Sequence, residues 1–321
     1  MGFAKPLLGA TAIIAALFTA TASSRAADHL NVGIPSPAYD FALLSVGIDA
    51  GIFKDNGLDI TPIQLAGSAK LHQALIAGSI DIAMGAGTDL LFIAKGAPEK
   101  AIADMAGPPN NMALIVASKG PIKTVADLKG QKIGVSTVGS LTYWLAQQLS
   151  IRQGWGPDGV EIVPVGSMQG EAAGLIGGSL QGGVGSLEGG LEMADKGQGR
   201  ILVMFGDFIH PFLAHAIFAT DAMIAQRPDQ IRRFLKGWFE TIAFSKTHKT
   251  EAIRYSQKVT HLSDENAEQV YLNETPMFST DGRFDLEAVA VVKKSLIDMG
   301  QADKMPPNEQ LFTEEFLPKK P

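Results

Sequence analysis

The sequence contains no cysteine and has no excess of basic residues. Without cysteine the chain has no disulfide bonds, no thiolate metal site, no cysteine nucleophile and no lipid anchor on an N-terminal cysteine. Lys and Arg total 27 against 33 Asp and Glu, for a net charge of −6. Nucleic acid is therefore not an expected partner, because a phosphate backbone requires clustered positive charge. The six histidines are scattered without metal-ligand spacing, so we expect no metal and no cofactor.

The sequence also lacks a long uninterrupted hydrophobic run beyond its first residues. Lys5 precedes an apolar stretch from Leu7 to Ala22, and Ser24-Arg25-Ala26 then places small residues at the −3 and −1 positions. A membrane span prefers ~20 apolar residues, so the stretch predicts a signal peptide, residues 1–26, with a membrane anchor as the alternative. Cleavage removes Lys5 and Arg25 and no acid, which takes the net charge from −6 to −8. We expect a soluble, periplasmic monomer.

Strands and helices are predicted to alternate along the chain in two successive groups. The 321 residues suit about two domains of ~150 residues each. The first group has predicted strands at 30–34, 58–65 and 80–84, and helices at 41–50, 71–77 and 90–95. The second has strands at 132–135, 160–165 and 182–184, and helices at 141–153 and 171–176. This alternation predicts an α/β fold with a mostly parallel sheet in each of two lobes.

The two groups align with each other at an offset of about 100 residues. Residues 75–85, LIAGSIDIAMG, match residues 175–185, LIGGSLQGGVG, at Leu, Ile, Gly, Ser and the last Gly. Gly67-Ser68 likewise aligns with Gly166-Ser167. The alternative is a chance match of glycine-rich helix ends, but the extended correspondence favours two similarly built lobes.

A segment rich in proline, glycine and asparagine, residues 106–111, separates the two groups and suits a crossing between domains. A return crossing is predicted near His210-Pro211. Residues 27–110 with 215–321 then form lobe 1, and residues 111–214 form lobe 2. In the C-terminal part, an apolar stripe after Pro228 predicts one helix, and a last long helix is capped by Asp285 and ends at Gly300.

The loops that follow the strands are the expected ligand site. In open α/β sheets a ligand binds beyond the carboxyl ends of the strands, where helix N-termini present free N–H groups. The candidate ligand-binding residues are Ser36, Tyr39, Gly67, Ser68, Gly87 and Thr88 in lobe 1, and Ser136, Thr137, Gly139, Ser140 and Glu188 in lobe 2. Hydroxyls and bare amides suit sulfonate, carboxylate or heterocyclic ligands. The alternative is that each hydroxyl only caps its helix.

The scarcity of basic residues in these loops restricts the charge of the expected ligand. Lys70 is the one basic residue close to them, so a small monoanionic, zwitterionic or neutral solute is preferred over a phosphate. Glu188 is interpreted either as the acceptor of an amine or ring N–H, or as a first-turn acid favoured by the helix dipole. Tyr39 could stack on a planar ligand, whereas Trp144 is more consistent with the core.

Sequence motifs of common enzymes are missing. The chain has no His-Glu-x-x-His, no Gly-x-Ser-x-Gly and no Walker loop, and Gly85-x-Gly87 and Gly183-x-Gly185 lack the third glycine of a dinucleotide site. His210, near the predicted return crossing, is the histidine to inspect, although a surface or structural role is the more ordinary interpretation.

Two segments resemble a known family. Residues 50–60, AGIFKDNGLDI, with residues 74–83, ALIAGSIDIA, resemble the nitrate/sulfonate/taurine-type periplasmic substrate-binding proteins of ABC importers, a family that also includes binders of thiamine-pyrimidine precursors. Residues 127–135, DLKGQKIGV, with Gly139-Ser140, are similar to the start of the second lobe in that family. Related thiamine-pyrimidine synthases share the fold but use a cysteine-rich iron motif, which this chain lacks.

The resemblance implies a type II binding protein whose two lobes close on a small polar organic solute, such as a sulfonate, carboxylate, amino-sulfonate or pyrimidine. It further implies that the protein docks on an ABC permease in the inner membrane and is not an enzyme. The alternatives are a secreted enzyme, or a ligand-sensing partner of a receptor, that uses the same cleft between the lobes.

Overall fold

The computed structural model describes residues 1–2, 27–65, 67–138 and 140–319. The predicted signal peptide falls almost wholly outside these residues, as does Gly139. Within the part of the chain that is described, no helix has the length and apolar character needed to cross a membrane.

Strands are distributed along the chain from residue 28 to residue 220. They are β1 (Asp28–Ile34), β2 (Leu58–Gln64), β3 (Ile82–Ala86), β4 (Glu99–Ala106), β5 (Met112–Ala117), β6 (Lys132–Val135), β7 (Glu161–Pro164), β8 (Gly182–Ser186), β9 (Gly199–Met204) and β10 (His215–Thr220).

Helices connect these strands and make up most of the chain after β10. They are α1 (Tyr39–Asp49), α2 (Ile52–Asp55), α3 (Ser68–Ile76), α4 (Leu90–Ala94), α5 (Leu141–Arg152), α6 (Met168–Ile176), α7 (Leu187–Asp195), α8 (Asp221–Gln226), α9 (Pro228–Thr247), α10 (Lys249–Thr260), α11 (Asp264–Glu274), α12 (Leu286–Asp298) and α13 (Asn308–Leu311).

The strands form two sheets of the same design. One has the order β2-β1-β3-β10-β4 and the other the order β7-β6-β8-β5-β9. In each sheet the first three strands pair in parallel. The fourth strand in each order, β10 or β5, runs antiparallel to both of its neighbours. The predicted α/β fold with two similarly built lobes is confirmed.

The offset of 100 residues holds at the level of whole elements. Helices α3 and α6 cover 68–76 and 168–176, and strands β3 and β8 cover 82–86 and 182–186. Gly67 and Gly166, which precede the two helices, both have a φ of 82°, a left-handed conformation that glycine adopts without steric cost. Local turn chemistry is therefore repeated together with the elements.

Several element boundaries differ from the sequence prediction. Helix α6 begins at Met168 rather than 171, because the Ser167 hydroxyl accepts a hydrogen bond from the Gly170 N–H and starts the helix earlier. Strand β3 covers 82–86 rather than 80–84. Strands β4, β9 and β10 were not predicted, since their short apolar runs lack a clear period.

The chain passes between the sheets twice, after β4 and again between β9 and β10. The helices that follow β10 return to the first sheet's side, where α9 packs on α1 and α2. On α9 the side chains of Ile231, Phe234, Leu235 and Trp238 are fully buried, which confirms the predicted apolar stripe. Asp285 caps α12 by accepting from the N–H groups of Glu287 and Ala288, as predicted.

Candidate functional site

Several loops that follow the parallel strands are anchored to the two crossing segments. The N–H of Gly87, after β3, donates to the carbonyl of Ala214 at 2.8 Å. The N–H of Leu187, after β8, donates to the carbonyl of Asn111 at 2.8 Å. Each sheet therefore presents one strand-end loop against the segment that joins it to the other sheet.

Gly87 has a steric reason to be glycine. A Cβ atom at this position would lie 2.0 Å from the carbonyl oxygen of Leu213, so a larger residue would push the loop away from the second crossing. The neighbouring Thr88 is half-buried, and the short helical turn at residues 87–89 is closed by Asp89, whose carboxylate accepts from the Ala86 N–H, and not by Thr88. The capping interpretation therefore does not account for Thr88.

The other predicted lobe 1 residues, apart from Tyr39, lie on two loops. Ser36 is half-buried, and its hydroxyl oxygen lies 3.4 Å from the Ala38 N–H, which donates to it. Gly67 is exposed and Ser68 is half-buried at the start of α3, which has no side-chain cap.

The predicted lobe 2 hydroxyls are largely engaged with each other. Ser140 caps α5 by accepting from the Tyr143 N–H at 3.2 Å. The Thr142 hydroxyl lies 3.0 Å from the Ser136 hydroxyl and 2.9 Å from the Ser140 hydroxyl. Thr137 is exposed and its carbonyl accepts from the Ser140 hydroxyl. For Ser140 the capping interpretation holds in the structure.

Tyr39 and Glu188 are brought together although they belong to different sheets. The Tyr39 N–H donates to Glu188 Oε1 at 3.0 Å, so the first turn of α1 contacts the first turn of α7. The Tyr39 ring is 1% exposed, and its hydroxyl lies 2.9 Å from that of Thr275. The predicted stacking of Tyr39 on a ligand therefore has no exposed ring face, and the residue reaches this junction through its backbone.

Three polar groups beside this contact were not among the predicted site residues. Asp40 Oδ2 lies 2.8 Å from His215 Nε2 and accepts from the Asn111 side-chain amide at 3.0 Å. All three side chains are buried. Asn111 lies on the first crossing and His215 ends the second, so Asp40 joins both crossings to α1. The side-chain oxygen of Asn111, Oδ1, and His215 Nδ1 are buried without a hydrogen-bond partner.

Glu274, at the end of α11, is the second feature that the sequence did not reveal. Its side chain is completely buried, and neither carboxyl oxygen has a hydrogen-bond partner. Glu188 as a residue is half-buried, yet its Oε2 is also inaccessible and unpartnered. A buried polar atom without a partner costs about 1–3 kcal/mol, and more when it is charged. A partner for these oxygens would recover that cost.

Burial and mutual repulsion shift the protonation of these carboxyl groups. Burial raises the pKa of Glu188, and the nearby Asp40 raises it further. Burial also raises the pKa of Glu274 well above its ordinary value, with added repulsion from Glu188 and Asp40. We call Asp40, Glu188 and Glu274 the acidic cluster.

Two large cavities and two other candidate side chains of the described residues lie away from this junction. Within that part of the chain, no group of three or more His, Cys, Asp and Glu side chains is arranged to hold a metal ion. Cavities of about 590 and 520 Å³ lie elsewhere, beside α13 and beside β5. Trp144 is buried, and its ring stacks on that of Phe212 with 4.9 Å between the ring centroids, as expected of a core residue. His210 is exposed.

The chain is similar to known proteins in its sequence and in its fold. A family model described as "NMT1/THI5 like" matches residues 38–252, well over half of the chain. No curated protein sequence matches the chain significantly.

Solved structures share the fold at low sequence identity. The periplasmic aliphatic sulphonate binding protein SsuA of Escherichia coli is 18% identical with a TM-score of 0.75, over 89% of this chain and 92% of that one. A protein of Bordetella bronchiseptica RB50 is 22% identical with a TM-score of 0.71, over 91% and 96%. The desulfurization enzyme DSZB is 18% identical with a TM-score of 0.66, over 90% and 97%. The two-lobed fold is thus found in both a binding protein and an enzyme.

Proposed function

The chain belongs to the NMT1/THI5-like family, and on that basis we propose that it is an extracytoplasmic solute-binding protein that delivers a small polar organic solute to an ABC importer. The observation that carries the proposal is the contact between Tyr39 and Glu188, which joins the first turns of helices from two separate sheets at the carboxyl ends of their strands. A solute bound there would touch both lobes.

Closure of the lobes is part of the proposal. Lobe 1 would comprise residues 27–110 and 215–321, and lobe 2 residues 111–214, with the crossings as hinges. A solute that contacts both lobes gains those contacts only in the closed form, so it shifts the population towards closure. An ABC permease in the inner membrane would then recognise the closed form. Likeness to the SsuA structure supports this role at the level of the fold.

Export and assembly follow from the same role. Residues 1–26 would act as a cleaved signal peptide, and the mature chain would work in the periplasm as a monomer. An enzyme on this fold is the second candidate, because the desulfurization enzyme DSZB shares it. A binding protein returns its ligand unchanged, so incubation with saturating solute followed by mass spectrometry separates the two candidates.

Solution scattering tests closure directly. The radius of gyration should fall when a solute that stabilises the protein is added at saturation. An unchanged radius in the presence of bound solute would contradict lobe closure, and chemical conversion of the solute would favour the enzyme.

A further inference from the structure

The acidic cluster has more buried carboxyl oxygens than hydrogen-bond donors to satisfy them. Glu188 Oε2 and both oxygens of Glu274 are buried without a partner. The neighbouring side-chain oxygen of Asn111, Oδ1, is a further buried acceptor that lacks a donor, and it is not part of a carboxylate. Buried acceptors in native proteins nearly always have partners, so the excess here requires an explanation.

The groups packed around the cluster do not supply those donors. Tyr39 uses its N–H for Glu188 Oε1 and pairs its hydroxyl with Thr275. The Asn111 amide and His215 Nε2 are directed at Asp40. Tyr271 on α11 donates its hydroxyl to the Ser245 carbonyl. Burial raises the pKa of Glu188 although hydrogen bonds from the Glu188 N–H and the Ser186 side chain lower it, and its Oε2 is still without a partner. The titratable groups that act on Glu274 are Glu188 from α7, and Asp40 and Tyr39 from α1, while His215 from β10 contacts Asp40 and Tyr271 from α11 contacts the Tyr39 ring.

From this arrangement we infer that Glu188 and Glu274, with the nearby charge of Asp40, bind a cationic nitrogen group of the solute, an ammonium or an amidinium. Such a group brings two or more N–H donors and a positive charge, which together match the unpartnered oxygens and the three carboxylates. The inference rests on the proposed function, because it places the solute between the lobes, and it narrows the class of solute. A sulfonate or carboxylate alone would add only acceptors and negative charge to a site that lacks donors.

Glu188 and Glu274 would contact the cationic group from opposite sides of the junction. Glu188 belongs to lobe 2, whereas Glu274 ends α11, which packs against α7 and is also joined to it by the Asn266 amide, 2.6 Å from Asp195 Oδ2. A cation between Glu188 and Glu274 would thus neutralise repulsion between the lobes when they close. Without the cation, that repulsion opposes closure.

Binding of a cation at Glu188 and Glu274 should be linked to proton release. Burial raises the pKa of Glu188 and of Glu274, so each carboxyl loses its proton at a higher pH than an ordinary glutamate does, and a bound cation would favour the ionised form. Binding of a cation should therefore release protons and become tighter as the pH rises. An anion would show the opposite, since it requires the carboxyl groups to stay protonated.

The test uses four probes of matched size on the mature full-length chain. Propylamine and benzamidine carry the cation, and propanesulfonate and benzenesulfonate carry an anion on the same frames. Thermal shift at high millimolar concentration should show stabilisation by the amine or the amidine and none by the sulfonates. Calorimetry in two buffers of different ionisation enthalpy should then detect proton release.

Two isosteric variants and one matched control assign the effect to the cluster. Glu188→Gln and Glu274→Gln should each weaken binding of the cationic probe at least tenfold. Glu171→Gln removes another buried carboxyl with an unpartnered oxygen, under the glycine-rich strand β8 and outside the cluster, and should leave the affinity unchanged. Circular dichroism confirms folding of each variant.

The outcomes separate this inference from the proposed function. Stabilisation by the sulfonates alone would overturn the cationic assignment and leave a solute-binding protein in place. Equal loss of affinity in Glu171→Gln would also overturn it. No stabilisation by any of the four probes would also overturn the cationic assignment, whereas the proposed function fails if bound solute leaves the radius of gyration unchanged or is chemically converted.

Discussion

A buried triad beside the first sheet is hydrogen-bonded to one predicted ligand loop, and its removal should lower the free energy of unfolding by a large, pH-dependent amount. His72 on α3 is 1% exposed and lies between two carboxylates, with Nδ1 2.8 Å from Glu99 Oε1 and Nε2 3.1 Å from Asp89 Oδ2. The same Asp89 oxygen accepts from the Ala86 N–H at 3.0 Å, which holds the turn that carries Gly87 and Thr88.

The magnitude follows from the protonation of His72. Burial by itself lowers the pKa of His72, but the hydrogen bonds to Asp89 and Glu99 overcome it and raise the pKa to about 9. A rise from 6.5 to about 9 corresponds to about 3 kcal/mol, at 1.36 kcal/mol per unit. Because the folded pKa is the higher one, this stabilisation is complete below pH 6.5 and is lost as the pH rises through 9.

We expect His72→Gln to lower the free energy of unfolding by about 3–5 kcal/mol at pH 6, because two buried carboxylates lose their cation. The variant should also lack the loss of stability that the wild type shows between pH 6.5 and 9. Urea denaturation at a series of pH values measures both. His29→Gln is the matched control, because His29 pairs with Asp59 on the surface, where the two side chains are 52% and 68% exposed.

Two results would refute this reasoning. A His72→Gln variant as stable as the His29→Gln control at pH 6 would mean that the triad contributes little. A pH dependence identical to that of the wild type would mean that His72 is not protonated in the folded protein.

Four further predictions concern the ligand loops, the export signal and a second buried carboxyl. Thr88→Ala should weaken solute binding by about 1–3 kcal/mol in calorimetry, because the Thr88 hydroxyl, which does not cap the turn, is free to bond a buried solute group. An unchanged affinity would remove Thr88 from the site. Ser140→Ala should lower the free energy of unfolding by about 1 kcal/mol, because α5 loses its cap, and chemical denaturation showing no loss would contradict this. N-terminal sequencing of exported protein should begin near Ala27, and a sequence that still starts at Met1 would refute the signal peptide. Burial raises the pKa of Glu171 to about 8, so the free energy of unfolding should fall as the pH rises from 4.5 towards 8. Glu171→Gln should therefore be more stable than the wild type at pH 9. A variant that unfolds at a lower denaturant concentration than the wild type at that pH would show that the carboxyl has a structural partner.

Local sequence signals determined the repeated α/β plan of this protein. Apolar periodicity and glycine-marked helix ends are short-range features, so they predicted β1 to β3 with α1, α3 and α4, and β6 to β8 with α5 and α6, but no range for α2 or α7. The same signals placed the stripe of α9 and the Asp285 cap of α12, both of which the structure confirms. The family resemblance likewise depended on short contiguous segments, and the family model confirms it.

Only the tertiary structure decided which strands and polar groups meet. Strand β10 enters the first sheet between β3 and β4, and periodicity within β10 cannot encode that partner. His215 and Asp40 are 175 positions apart in the chain, and Glu274 follows at the end of a helix with no motif around it. In the sequence His72 is one of several scattered histidines, and only the fold shows that it lies between Asp89 and Glu99. A polar side chain carries no local signal of its partner, because the energy of a buried charge depends on the groups that the fold brings within a few ångströms of it.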